Sequence, residues 1–320
     1  MRKVFTAAAT VFLSLGLMAG IASAKFPEKN VTMIMAFTAG GSSDVQARVM
    51  QQYWDKMKLP SWVFLYKTGA GGAIGFGEIA KAKPDGYTIG GVNVPHIVLQ
   101  PLGQNAQFSI DSFDYIAQVV NDPQCIVVHK DSHFKSVKEV MDYAAKNPGK
   151  LKLGIVGRFS GHHLMLLDMQ SKYPFPITDV VYKGAADQNA ALLGKEIDVM
   201  LGNLNDVMRS LEHMRVLGIA AEKRFTDFLP DVPTLKEEGY NIVSDIRRAF
   251  VTPRGIPKEH LAELRRIFSE IAHNPDYLKE MKTIGQPAEY MDGEAFEAYV
   301  RQQNDIAKAT LEKAGLLKNK

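Results

Sequence analysis

Strand-length apolar runs alternate with helical periodicity along nearly the whole chain, and few architectures accommodate that alternation. Residues 31–37 are continuously apolar, the signature of a strand buried on both faces. Val45, Val49 and Tyr53 then recur every fourth residue, one face of a helix. Further strands are expected at 62–66 and 87–94, with a glycine-rich loop at 69–75, a short helix at 76–81 and a Pro84-Asp85-Gly86 turn between them. The pattern resumes with strands at 125–129, 151–156, 180–182, 197–201 and 216–221. Helices at 136–147, 162–172 and 187–193 separate them, the first closed by Asn147-Pro148-Gly149. The C-terminal part is helical, with Leu261, Leu264, Phe268 and Ile271 on one face and Phe296, Tyr299 and Val300 on another. The expected class is α/β, a mostly parallel sheet flanked by helices.

Two places read as crossings between domains: Asn121-Asp122-Pro123-Gln124, and 244–253 leading into Thr252-Pro253-Arg254-Gly255-Ile256-Pro257. If both are hinges, 25–124 with 246–320 form one lobe and 125–245 the other. A ligand would then sit off the carboxyl ends of the strands, in the cleft between lobes.

Arg2 and Lys3, an apolar run over about 4–21 and Ala22-Ser23-Ala24 have the layout of a secretory signal peptide spanning 1–24. The segment holds two of the chain's 38 basic residues and none of its 35 acidic ones, so the remainder is near neutral and no basic run supports nucleic-acid binding. Cys125 is the lone cysteine, which rules out an internal disulfide and suits an exported bacterial periplasmic protein held by packing. No coiled-coil repeat or large apolar helix face is evident, so a monomer is the default.

Phe37-Thr38-Ala39-Gly40-Gly41-Ser42-Ser43-Asp44 takes the chain from a strand into a helix, with Ser43 and Gln46 at capping-box spacing. A helix N-terminus has unpaired N–H groups and partial positive charge, so this turn is either an anion pocket or an ordinary strand-to-helix connection. Ser160-Gly161-His162-His163 opens a helix in the same way. Adjacent histidines diverge by about 100° and no second ligand motif accompanies them, so a metal site is disfavoured. His163 is either a ligand contact or a buried histidine bonded to backbone. Lys183 pairs with an acid group or is solvated, and Asn203 at a strand end donates to a ligand or forms an Asx-turn. Arg247 and Arg248 lie in an apolar stretch, and strand alternation would direct only one of them to the cleft. Either binds carboxylate or forms a salt bridge with Asp245 or Glu238. Gly69–Gly75 is one residue too long for a dinucleotide fingerprint, no phosphate-loop lysine exists, and no catalytic set stands out; no cofactor is expected.

The ordered set of Ala36–Asp44, Gly69–Gly75, Pro84-Asp85-Gly86-Tyr87-Thr88, Tyr182-Lys183-Gly184, Leu193-Gly194-Lys195-Glu196-Ile197-Asp198-Val199-Met200 and Leu229-Pro230-Asp231-Val232-Pro233-Thr234 resembles the Bug family. These are periplasmic solute-binding subunits of tripartite tricarboxylate transporters. The resemblance implies a two-lobed type II periplasmic-binding fold, a small carboxylate ligand, and membrane transporter subunits as partners. It places Phe37, Thr38, Ala39, Gly40, Gly41, Ser42, Ser43 and Asp44 in one binding loop and Gly157, Arg158, Phe159, Ser160, Gly161, His162 and His163 in the other. Lys183, Gly184, Ala185 and Asn203 match lining positions. The chain departs from the family at Phe159, where relatives usually have glycine, and at Arg247-Arg248, where many have an aromatic pair. An arginine near Arg248 in some relatives of highly charged acids points to a di- or tricarboxylate. A sensor subunit for a membrane signalling protein, or an enzyme on the same scaffold, is the alternative.

Overall fold

The computed structural model describes residues 26–318, so the expected signal peptide lies outside the described residues. Among the described residues, ten strands run β1 (Val31–Met35), β2 (Trp62–Tyr66), β3 (Thr88–Val94), β4 (Phe113–His129), β5 (Lys152–Val156), β6 (Thr178–Tyr182), β7 (Val199–Asn203), β8 (Met214–Ile219), β9 (Asp245–Pro253) and β10 (Ala288–Asp292). The α-helices are α1 (Ser42–Lys56), α2 (Ala73–Lys81), α3 (His96–Gly103), α4 (Val137–Lys146), α5 (Gly161–Lys172), α6 (Ala185–Leu193), α7 (Leu204–Met208), α8 (Lys258–Ala272), α9 (Pro275–Thr283) and α10 (Gly293–Lys313).

The strands form two sheets of one plan. In the first, β1 lies between β2 and β3, parallel to both; β9 follows, antiparallel to β3 and to the start of β4. In the second, β5 lies between β6 and β7, parallel to both; the end of β4 follows, antiparallel to β7 and β8. The chain therefore has a two-lobed α/β fold, with apolar side chains packed on both faces of each sheet. Trp54, Phe250 and Phe268 surround Trp62 in the first lobe, the Phe268 ring stacking on Trp62 at 5.9 Å between centroids.

The 17-residue β4 belongs to both sheets. Phe113–Pro123 pairs with β9, and Gln124–His129 pairs with β7 and β8. Asn121-Asp122-Pro123-Gln124, which reads in the sequence as a crossing between domains, is the middle of a strand, where pairing passes from β9 to β7. Its polar residues tolerate burial because they are bonded: Asp122 to Arg248, and Gln124 to Ser244. The chain returns beside this point, where the Gln124 amide donates to the Ser244 carbonyl at 2.9 Å.

Candidate ligand-binding cleft

A cleft with ≈ 360 Å³ of free space, mouth included, opens between the lobes at the carboxyl ends of β1, β3, β5 and β7. The first lobe contributes Phe37, Gly41, Ser42, Ser43, Asn93, His96, Ile246 and Arg248; the second contributes Val156, His162, Ala185 and Asn203.

Four helices, α1, α3, α6 and α7, begin at lining residues without a side-chain cap, and α1 and α6 meet across the cleft. Gly41 is the N-cap of α1 and makes no side-chain bond, so the expected capping box is absent. Ser43 is already inside the helix, and its hydroxyl donates to Asn93 Oδ1 at 3.4 Å. The preceding turn is braced from within: Gly40, at φ +77, donates its amide to Asp44 Oδ2 at 2.8 Å. Asp44 also accepts from the Tyr66 hydroxyl at 2.6 Å and pairs with Arg48 at 3.2 Å. Across the cleft, α6 starts at Gly184, likewise uncapped, and Ala185 forms the wall. A Cβ on Gly184 would lie 2.2 Å from Thr38 Oγ1, so only glycine lets the lobes meet there.

The start of α5 is closed on itself. Ser160 Oγ accepts from the His163 amide at 3.2 Å and donates to the Gly157 carbonyl at 2.9 Å. In the orientation that satisfies its neighbours, the Gln124 side chain accepts from the His162 amide at 3.1 Å and donates to the Gly161 carbonyl at 3.2 Å.

His162 Nδ1 accepts from the Val156 amide at 3.1 Å, which leaves the proton on Nε2 to donate to Asn203 Oδ1 at 3.0 Å. Asn203 Nδ2 in turn donates to Asp206 Oδ2 at 3.0 Å. Burial pushes His162 down to about 4, so the ring is neutral. His163 does not line the cleft; its Nδ1 accepts from the Phe159 amide at 3.1 Å, and burial lowers it to about 4 as well.

Alternation along β9 separates the two arginines. Arg247 turns out, pairing with Glu289 at 3.0 Å and Asp245 at 3.9 Å and lying over Tyr299. Arg248 turns into the cleft, where Nη1 donates to Asp122 Oδ2 at 2.7 Å. Burial raises Asp122 to about 6 although Arg248 draws it down.

Of the residues expected from sequence, Phe37, Gly41, Ser42, Ser43, His162, Ala185, Asn203 and Arg248 line the cleft. Thr38 and Gly184 meet beside it, Ala39 and Gly40 are exposed, and Asp44 is the brace. Gly157 and Phe159 contact the opposite lobe instead: a Cβ on Gly157 would lie 2.4 Å from the Gly71 Cα, and the Phe159 ring covers Gly103. Phe159 adopts the left-handed conformation that glycine favours, at φ +51. Ser160 and Gly161 are internal to the α5 turn, and Lys183 is exposed, away from the lining. Asn93, His96, Val156 and Ile246 were not anticipated; a histidine interrupting the apolar run 92–99 was the available signal.

The model of the tripartite tricarboxylate transporter family receptor matches residues 47–316. The chain belongs to that receptor family. A protein from the gbd 5′ region of Cupriavidus necator is 30% identical over 315 residues, covering 98% of this chain and 96% of the relative. The solved structure of the periplasmic binding protein BugD is 29% identical, has a TM-score of 0.85, and covers 92% of this chain and 100% of BugD. The R. palustris protein Rpa4515, solved with adipate, shares the fold with a TM-score of 0.85 at 23% identity, covering 91% of this chain and 98% of Rpa4515. The receptor is thus a solute-binding protein of the periplasmic-binding class and not an enzyme.

Proposed function

We propose that this chain binds a small carboxylate in the cleft and presents it, as a monomer in the periplasm, to a tripartite membrane transporter. The observation that carries this reading is the meeting of two uncapped helix N-termini, α1 and α6, at one desolvated cleft between lobes. Unpaired N–H groups and the partial positive charge of both helices favour an anion there. The adipate of Rpa4515 supports a carboxylate.

The lobes we assign are 25–124 with 246–320, and 125–245. Hydrogen bonds across the cleft support reading the form described as closed. Arg209 Nη1 of α7's C-cap donates to the Gly40 carbonyl at 2.7 Å, and Gln100 Nε2 of α3 donates to the Arg158 and Phe159 carbonyls at 3.2 and 3.1 Å. A ligand touching both lobes binds this form more tightly than an open one and draws the equilibrium toward it. Thermal melts with mono-, di- and tricarboxylates and aromatic acids test the reading. One acid should raise the melting temperature saturably, corresponding to about 2.7 kcal/mol at a hundredfold excess over Kd. A flat response to the whole set would sink it.

A further inference from the structure

We propose that Phe159 is a positioning residue for ligand capture: its ring, seated over Gly103 of the opposite lobe, draws the lobes together without touching the ligand. This rests on the lobe closure proposed above and adds a contribution to it that needs no ligand.

Phe159 belongs to the turn between β5 and α5, but its ring reaches the other lobe. It does not line the cleft. Its side chain packs against the first-lobe cluster that contains Val98, Leu99 and Phe108, joined there by Val156 and Leu164 from its own lobe. Its carbonyl accepts from Gln100 Nε2 of α3 at 3.1 Å, and the same nitrogen reaches the Gly71 carbonyl at 3.1 Å. The ring occupies the space that a Cβ on Gly103 would need, and Gly157, two residues earlier, abuts Gly71 in the same way. Ring on glycine, backbone on glycine and amide on carbonyl therefore coincide beside the cleft.

The backbone of Phe159 is unusual for its side chain. At φ +51 it is left-handed, a region that phenylalanine, with no polar group to bond locally, rarely enters. Such a residue persists where its surroundings over-determine it. The second lobe fixes the backbone, since His163 Nδ1 accepts from the Phe159 amide at 3.1 Å and Ser160 Oγ donates to the Gly157 carbonyl at 2.9 Å. The first lobe supplies the seat for the ring. Opening the lobes leaves those bonds of the turn intact but strips the ring of its seat, and exposing apolar surface to water opposes that step. A closed fraction raised in this way raises the apparent affinity for any ligand that the closed cleft takes.

Two substitutions unseat the ring from opposite sides. Phe159→Gly removes the ring and relaxes the backbone. Gly103→Ala leaves Phe159 in place and fills its seat; Gly103 ends α3 without a positive φ, so alanine suits its backbone. Each should lower the ratio of closed to open form about tenfold, the scale of losing a buried aromatic contact. Small-angle scattering of the unliganded full chain reads that ratio as particle size. Calorimetric titration with the acid that stabilises the wild type reads it as apparent affinity. Each variant should give a larger unliganded particle or weaker binding. The double variant should change no further than Phe159→Gly, since a methyl at 103 obstructs nothing once the ring is gone. If Phe159→Gly does not fold, Phe159→Leu takes its place in the cycle. Wild-type size and affinity in both single variants, additive effects in the double variant, or a loss of unfolding stability alone overturns the proposal. The expected scattering changes without binding of any acid by the wild type would sink the carboxylate reading and leave the latch standing.

Discussion

The starts of α1 and α5 look alike in sequence, each a strand followed by glycine and serine and then a helix, yet they do opposite things. Ser160 and Gln124 consume the amides of α5. At α1 a glycine occupies the N-cap, and the nearest acidic side chain, Asp44, reaches back to the turn instead of capping the helix end. One serine in the capping position thus distinguishes a closed structural turn from one left available to an anion. The partner of α1 across the cleft is consequently α6, whose N-cap is again glycine.

Acid should break the closed turn first. His162 and His163 serve it as neutral acceptors for the Val156 and Phe159 amides, and both are lowered to about 4. A lowered histidine contributes stability that is complete above its unfolded value near 6.5 and is lost as pH falls toward the folded value. For His162 the loss is about 1.4 kcal/mol per pH unit across that window. Asp122, raised to about 6, has the opposite sign and gains stability as pH falls through 6, but it is one group against three, since burial lowers His96 as well, to about 3. Denaturation between pH 7 and 4.5, with hydrogen exchange at Val156 and Phe159, should show net destabilisation centred on α5. Equal loss of protection at α1 would break the contrast.

Next in size is the α1–α6 contact. Gly184 has extended backbone, so Gly184→Ala introduces no local strain, but its methyl would collide with Thr38. Closure should become less favourable by about 1–3 kcal/mol, as for overpacked sites. Small-angle scattering with saturating ligand would then report a more open particle at unchanged unfolding stability. Ser160→Ala should cost about 1 kcal/mol in urea denaturation through the lost cap, with little change in affinity. The smallest stability effect belongs to Gly41→Ser, a few tenths of a kcal/mol, since serine caps only slightly better than glycine. Its added hydroxyl competes for the α1 amides, so affinity should fall; undiminished affinity would show that those amides are not used.

Much of the architecture was legible because periodicity reports it directly. Strand Trp62–Tyr66 was found to the residue, and the helical face of Val45, Val49 and Tyr53 lies within α1. The first half of β4 was hidden, since Asp122, Pro123 and Gln124 argue locally for a break and only partners 120 or more residues away reverse that. Helix α3, with Pro101 inside it, and helix α9 and strand β10 were likewise not read. In the cleft, alternation separates Arg247 from Arg248, but it does not reveal Asp122 as the partner, 126 residues distant. Nor does a Gly-Ser motif disclose whether its serine falls on the cap, which depends on where the helix begins.

The strand shared by both sheets governs how such a molecule can move. Slack linkers would let the halves wander; a continuous ribbon hydrogen-bonded at each end makes Pro123 and its neighbours a torsion spring. If the lobes open and shut as proposed, that ribbon would confine their excursions and let the gripping surfaces re-register each time the mouth closes.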